Sequence, residues 1–230
     1  RKTGFDNIGI DLMYGLPGQD LAGWRRNLQA AVNLGPEHIS LYQLNIEKGT
    51  PFHALLRKGL LEEFDQETAL EMYEEGIVFL TSRGYHHYEI SNFARPGRES
   101  RHNKLYWQHK EYLGLGAGAS GYLGGVRYNN ISGLGAYHEA VSAGKRPVRE
   151  EETIDENLAM AETLFLGLRL LEGVDKELFI RRFNIPINER YGDVVAKLKK
   201  QGLLEESETH ICLTKKGLPL ANLVFVEFLQ

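Results

Sequence analysis

The stretch from 100 to 125, "SRHNKLYWQHKEYLGLGAGASGYLGG", sets His102, Asn103, Tyr106 and Trp107 just ahead of Gly114, Gly116, Gly118 and Gly121. An imidazole is a good ligand for iron, and aromatic rings beside it suit a flat ligand. The same residues have a plainer reading, in which His102 is a structural histidine at a strand edge and Tyr106 and Trp107 are ordinary core. Residues 116–121 match G-x-G-x-x-G in form. A dinucleotide loop, however, needs a strand before it, a helix after it and an acidic residue about twenty positions on. "YLGGVRYNN" follows here and reads as strand and turn, so the glycines are expected to let a strand pass close to other backbone or to a ligand.

The remaining candidates carry less. His86 and His87 are adjacent on an expected strand and point to opposite faces. His38, His53, His109, His138 and His210 are scattered, with no ligand spacing. Cys212 is the single cysteine, so an intrachain disulfide and any site built from several thiolates are excluded, and a reducing cytoplasm is the simplest location. No metal site and no catalytic residue is assigned on the residues alone.

The elements that must position these groups follow from pattern. "NIGIDLMYGLPGQ" (7–19) reads as a buried strand and a loop. "DLAGWRRNLQAAVNLG" (20–35) is a helix capped by Asp20, with Leu21, Trp24, Leu28, Ala31 and Val32 on one face. "HISLYQLNI" (38–46) is a second strand, parallel to the first because a helix connects them. "DQETALEMYEEGIVFLTSRG" (65–84) is another amphipathic helix, and "YHHYEISNFA" (85–94) reads as one aromatic strand. "VRYNNI" (126–131) is a strand, followed by a short helix near 133–143. "EEETIDENLAMAETLFLGLRLLEG" (150–173) is acidic and then strongly apolar, as a helix closed by Gly173. Helices at 175–183 and 188–202, a hairpin at 203–217 and a last helix near 218–229 then suggest a winged-helix-like module. The fold class is α/β, with expected domains 1–149 and 150–230. A formal net charge of −4 gives no basic field to attract nucleic acid, and no apolar run reaches the ~18 residues that a membrane span needs.

"IDLMYGLPGQ", "HISLYQLNIEKGTPF", "YEISNFARPG", "SRHNKLYW" and "YLGLGAGASGY", in this order, resemble the oxygen-independent coproporphyrinogen III oxidase-like family of radical S-adenosylmethionine proteins, which includes haem chaperones. "HNKLYW" is most similar to the chaperone branch. The resemblance implies the C-terminal part of a partial (β/α)6 barrel, then the winged-helix-like domain. It also implies a parent protein that uses S-adenosylmethionine and a 4Fe–4S cluster. The family's run of three cluster cysteines has no counterpart in these 230 residues, so neither cofactor is expected to be held by this chain alone.

By the same resemblance, Asp11 and the pair Leu44–Asn45 would face the cofactor, and His102, Asn103, Tyr106 and Trp107 would contact haem or another porphyrin. Asp11 has a structural reading too, since a carboxylate inside an apolar strand is costly unless it is paired. Ser120 stands where many family members have histidine. The implied partner is a tetrapyrrole, haem or coproporphyrinogen III, with no nucleic acid and no membrane span. A first strand that lacks its barrel neighbour would leave an edge open to self-association. The alternative function is a winged-helix module that binds nucleic acid or protein without enzymatic activity.

Overall fold

The computed structural model describes residues 1–229. They form two compact units, Arg1–Ser100 and Arg101–Gln230, and the expected boundary at 149/150 falls inside the second.

In the first unit, β1 (Gly9–Tyr14), α1 (Leu21–Asn33) and β2 (His38–Gln43) make the expected parallel unit, with Gly9 opposite His38 and Tyr14 opposite Gln43. Asp20 caps α1, its carboxylate accepting from Gly23 N–H at 2.6 Å. Trp24, Leu28 and Ala31 form the buried face of the helix. Trp24 also satisfies its indole N–H on Met72 O at 2.7 Å, which ties α1 to a later helix. A short helix that the sequence pattern does not announce, α2 (Pro51–Arg57), starts at a Thr50 cap followed by proline, a favoured first helical residue. Helix α3 (Gln66–Thr81) then packs Ala69, Met72, Tyr73 and Leu80 inward.

The aromatic stretch at 85–94 is not one strand. It folds back as β3 (His86–Glu89) against β4 (Asn92–Ala94), antiparallel. The reversal is closed by Glu89, which is fully buried and accepts from Ser91 N–H at 2.9 Å and from the Asn92 amide. A strand with hydrogen-bonding residues at its middle thus turns instead of continuing. The sheet order is β1-β2-β4-β3. Among the described residues, β1 has a strand neighbour on one side only.

The second unit opens with helix α4 (Arg101–Trp107) and a sheet of β5 (Ser120–Leu123), β6 (Val126–Asn130) and β7 (Val148–Thr153), with α5 (Leu134–Ser142) between β6 and β7. The acidic run at 150–152, expected to lead into a helix, belongs to β7. There it pairs antiparallel with β6, Glu152 lying opposite Arg127. Cross-strand charge complementarity outweighs the low strand propensity of glutamate. Next come α6 (Glu156–Gly167), β8 (Val174–Asp175), α7 (Lys176–Phe183), α8 (Ile187–Lys200), the hairpin β9 (Leu204–Glu206) and β10 (His210–Leu213), and α9 (Ala221–Val226). The α7–α8–hairpin order is that of a winged helix. Strand β8 completes its sheet, in the order β8-β10-β9. Gly173 makes this possible: with φ at 77°, a β-carbon there would lie 2.1 Å from Ile211 O. No helix among the described residues is long and apolar enough to cross a membrane.

Two predictions follow from these packings. Glu206 accepts from Lys199 at 2.7 Å, Lys176 at 3.0 Å and Asn188 at 3.3 Å, and the two lysines hold its carboxyl down at about 2. A depressed carboxyl stabilises the fold above its unfolded value of ~4.3 and loses that contribution as pH falls through the folded value. Thermal melts of Glu206→Gln should therefore lie below wild type at neutral pH and converge with it toward pH 2; parallel curves would contradict this. The open side of β1 should also drive self-association of the chain. Light scattering across a concentration series should show it, and a monodisperse monomer at high concentration would count against it.

Candidate functional site

In the first unit, side chains alternate across the sheet. Ile10, Leu12 and Tyr14 share the face of Ile39 and Leu41, which α1 and α3 cover, while Asp11 and Met13 lie on the opposite face with Tyr42. Asp11 is exposed, so it escapes the desolvation cost that an apolar strand would impose. It sits opposite Ser40 and within electrostatic range of His38. Leu44 and Asn45 follow the end of β2, Leu44 N–H bonding to Tyr14 O at 2.9 Å. They line a hollow of about 180 Å³ with Gly15, Phe64 and the acidic pair Glu62–Glu63. Asp11 does not line this hollow, so the three residues tied together by resemblance occupy two places in the unit.

In the second unit, His102, Asn103, Tyr106 and Trp107 all fall on α4, which removes the strand-edge reading of His102. Helical spacing sets His102 and Tyr106 one turn apart on one face, and Asn103 and Trp107 on the stripe beside it. His102 is exposed, while the other three are half-buried. Tyr106 Oη lies 2.6 Å from His102 Nε2, and the two rings meet edge to face at 4.7 Å. Tyr106 also packs edge-on against Tyr112 at 4.4 Å. Trp107 turns the other way, beneath the Arg169 guanidinium at 4.2 Å.

Tyr106 opens onto a cavity of about 340 Å³ lined by Tyr112, Tyr122, Phe165 and Leu166, with Lys110, His109, Arg127 and Glu162 supplying its charge. The base of this cavity is a buried ionic group. Glu162 Oε2 lies 3.1 Å from His109 Nε2, and its other oxygen accepts from Arg127. Arg127 also reaches Glu152 at 3.1 Å. Burial alone would raise the Glu162 carboxyl, but His109 and Arg127 outweigh that and hold it below the ordinary value. Burial raises the Tyr112 phenol, keeping it neutral. Sequence reasoning passed over His109 and Glu162: His109 has no ligand spacing, and Glu162 looks like a polar residue on an apolar helix. Only a charge in the middle of "AMAETLFL" was visible, a hint of a buried partner.

The glycines behave as structure. At Gly121 a β-carbon would lie 2.2 Å from the Tyr128 ring, so the glycine lets that ring cross the strand. Asn130 Nδ2 donates to Gly114 O and Gly116 O, both at 3.0 Å, pinning the loop. The segment enters the β5–β6 hairpin with no helix after it, so a dinucleotide loop is excluded. His86 is exposed, while His87 is buried and stacked on Phe93 at 4.3 Å; burial pulls His87 down to about 4. Cys212 is half-buried, and burial, reinforced by Glu205, pushes its thiol up to about 11. One thiol cannot supply the several thiolates that hold an iron–sulfur cluster, so these residues do not fit one.

Comparison with known proteins agrees with this architecture. Residues 154–220 match the HemN C-terminal domain family. The chain is 39% identical over its whole length to the heme chaperone HemW of Bacillus subtilis, and 41% identical to the HemW of Lactococcus lactis, spanning 60% of each. It is 33% identical to the mitochondrial radical S-adenosyl methionine domain-containing protein 1 of Bos taurus, with 97% of the chain aligned to 53% of that protein. In fold it superposes on the Escherichia coli coproporphyrinogen III oxidase HemN, a radical SAM enzyme. The TM-score is 0.77 at 22% identity, covering 99% of this chain and 56% of that one. The chain thus spans about 60% of the length of these bacterial relatives. In sequence and in fold, it is similar to the C-terminal portion of HemN-like radical S-adenosylmethionine proteins.

Proposed function

We propose that this chain is the tetrapyrrole-handling portion of a radical S-adenosylmethionine protein, and that its cargo is haem, taken up at the His102 face of α4. The observation that carries the reading is the His102–Tyr106 pair. An exposed imidazole has one nitrogen engaged by a phenol at 2.6 Å, which leaves Nδ1 for iron, and it stands beside an aromatic cavity. An axial imidazole held by a second hydrogen-bonding group is a familiar way to fix ring orientation and tune a metal ligand. The chaperone reading takes precedence over the oxidase-like one because the relatives named as heme chaperones align with the whole chain at 39% and 41% identity.

S-adenosylmethionine, where bound, supplies radical chemistry only together with a reducing cluster. The chain offers a polar hollow at Leu44 and Asn45 and the exposed carboxylate of Asp11, but no thiolate set. Its own contribution is to bind and orient, on residues that need no radical step.

The winged-helix alternative of nucleic-acid binding finds little support in the charges. Lys199 of α8 is neutralised by Glu206 at 2.7 Å, and Lys197 by Glu227 at 2.6 Å. Two lysines of α8 are thus paired within the unit, and the whole chain carries a net charge of −4.

His102→Ala tests the reading. Because His102 is exposed, its loss should leave far-UV circular dichroism and the melting temperature near wild type, while haem titration shows weakened binding and a shifted Soret maximum. Unchanged affinity and spectrum in the folded variant would remove His102 as the ligand. Tyr106→Phe keeps the ring against Tyr112 and deletes only the hydroxyl. Haem affinity should fall about tenfold, in line with the loss of a group that orients a ligand; binding equal to wild type would mean that the His102–Tyr106 contact does not serve the ligand.

A further inference from the structure

The residue just beyond the C-cap of α4 is an unusual choice for its backbone. His109 N–H donates to Tyr106 O at 2.9 Å and Lys110 N–H to Leu105 O at 2.9 Å, the paired closure of a helix whose next residue turns left-handed. That residue is His109, with φ at 48°, where glycine or asparagine is the ordinary occupant. A side chain that keeps such a backbone must be fixed from outside it.

The ring of His109 is fixed on every side. It stacks on Tyr122 of β5, with centroids 4.9 Å apart and planes 14° from parallel. Nδ1 lies 3.1 Å from Thr163 Oγ1. The Thr163 hydroxyl already donates to Ala159 O at 2.7 Å, so toward His109 it accepts, and Nδ1 carries a proton. Nε2 faces Glu162 Oε2 at 3.1 Å, an ion-pair distance, and neither buried atom makes a hydrogen bond among the described residues. An unprotonated Nε2 would set a lone pair against a carboxylate, so Nε2 is protonated as well. Arg127 of β6 sits on the other Glu162 oxygen and keeps that group a carboxylate. From α7, Arg182 donates to His109 O at 3.1 Å. Lys110, Tyr106 and Tyr112 are the remaining titratable groups around the shared cavity.

We infer that His109 is a positioning residue for the ligand face of α4. As a buried imidazolium it locks the last turn of the helix onto α6 and the β5–β6 hairpin, and so holds Tyr106, and through Tyr106 His102, in place. The inference builds on the proposed role of His102 but concerns a different residue, seven positions further along the chain.

Two readouts test it. In the chain labelled with ¹⁵N-histidine, the His109 resonances, assigned by their loss in His109→Asn, should show both ring nitrogens protonated at neutral pH. A ring with one bare nitrogen would overturn the inference. This spectrum is read without haem, so it decides the inference even where the function reading fails. The His109→Asn variant, in turn, puts a residue suited to the left-handed turn at the helix end while deleting the lock. It should keep a native circular dichroism spectrum, bind haem roughly tenfold more weakly, as loss of a supporting group does, and show a Soret maximum displaced from wild type. Wild-type affinity and spectrum in this variant would also overturn it.

Discussion

A carboxylate with 4% of its surface exposed stays charged only with partners, because an unpaired buried charge costs several kcal/mol. Glu162 on α6 meets that demand with two basic side chains drawn from distant parts of the second unit. His109 comes from the end of α4, and Arg127 from β6. Arg127 in turn reaches Glu152 on β7. One buried charge therefore fixes the helix that carries His102 and Tyr106, the hairpin beyond the glycines, and the helix that begins the C-terminal module. The acidic strand β7 becomes intelligible in the same way: it supplies the outer carboxylate to an arginine whose inner side is already committed.

That constraint explains what could be read along the chain and what could not. The parallel unit β1–α1–β2 was legible because its signals are local: an aspartate cap, an apolar stripe at helical spacing and a glycine stop. The winged module was legible for the same reason. The hairpin at 86–94 was not, because its turn is closed by Glu89 accepting from Ser91 and Asn92, an arrangement that mimics an alternating strand when written as letters. β7 was missed because its glutamates find a cross-strand arginine over twenty positions earlier in the chain, and sequence spacing carries no trace of that pairing.

The candidate site divides along similar lines. The family resemblance picked out His102, Asn103, Tyr106 and Trp107, and the structure gathers them on one short helix. The contact between His102 and the Tyr106 hydroxyl is a matter of helical periodicity and could have been read at a spacing of four; a strand assumption hid it. His109 and Glu162 could not have been paired, since 53 positions separate them and each looks unremarkable alone. The glycines, suggestive of a phosphate loop in one dimension, turn out to make room for Tyr128 and for a loop held by Asn130.

At the centre stands the assignment of the His102 imidazole to haem iron. Pulsed electron paramagnetic resonance on the ferric haem complex of the ¹⁵N-histidine-labelled chain probes that bond itself. The account predicts a strong ¹⁵N coupling from an axial imidazole in wild type that disappears in His102→Ala. A coupling that persists unchanged in the folded variant, or none in wild type with haem bound, would contradict it.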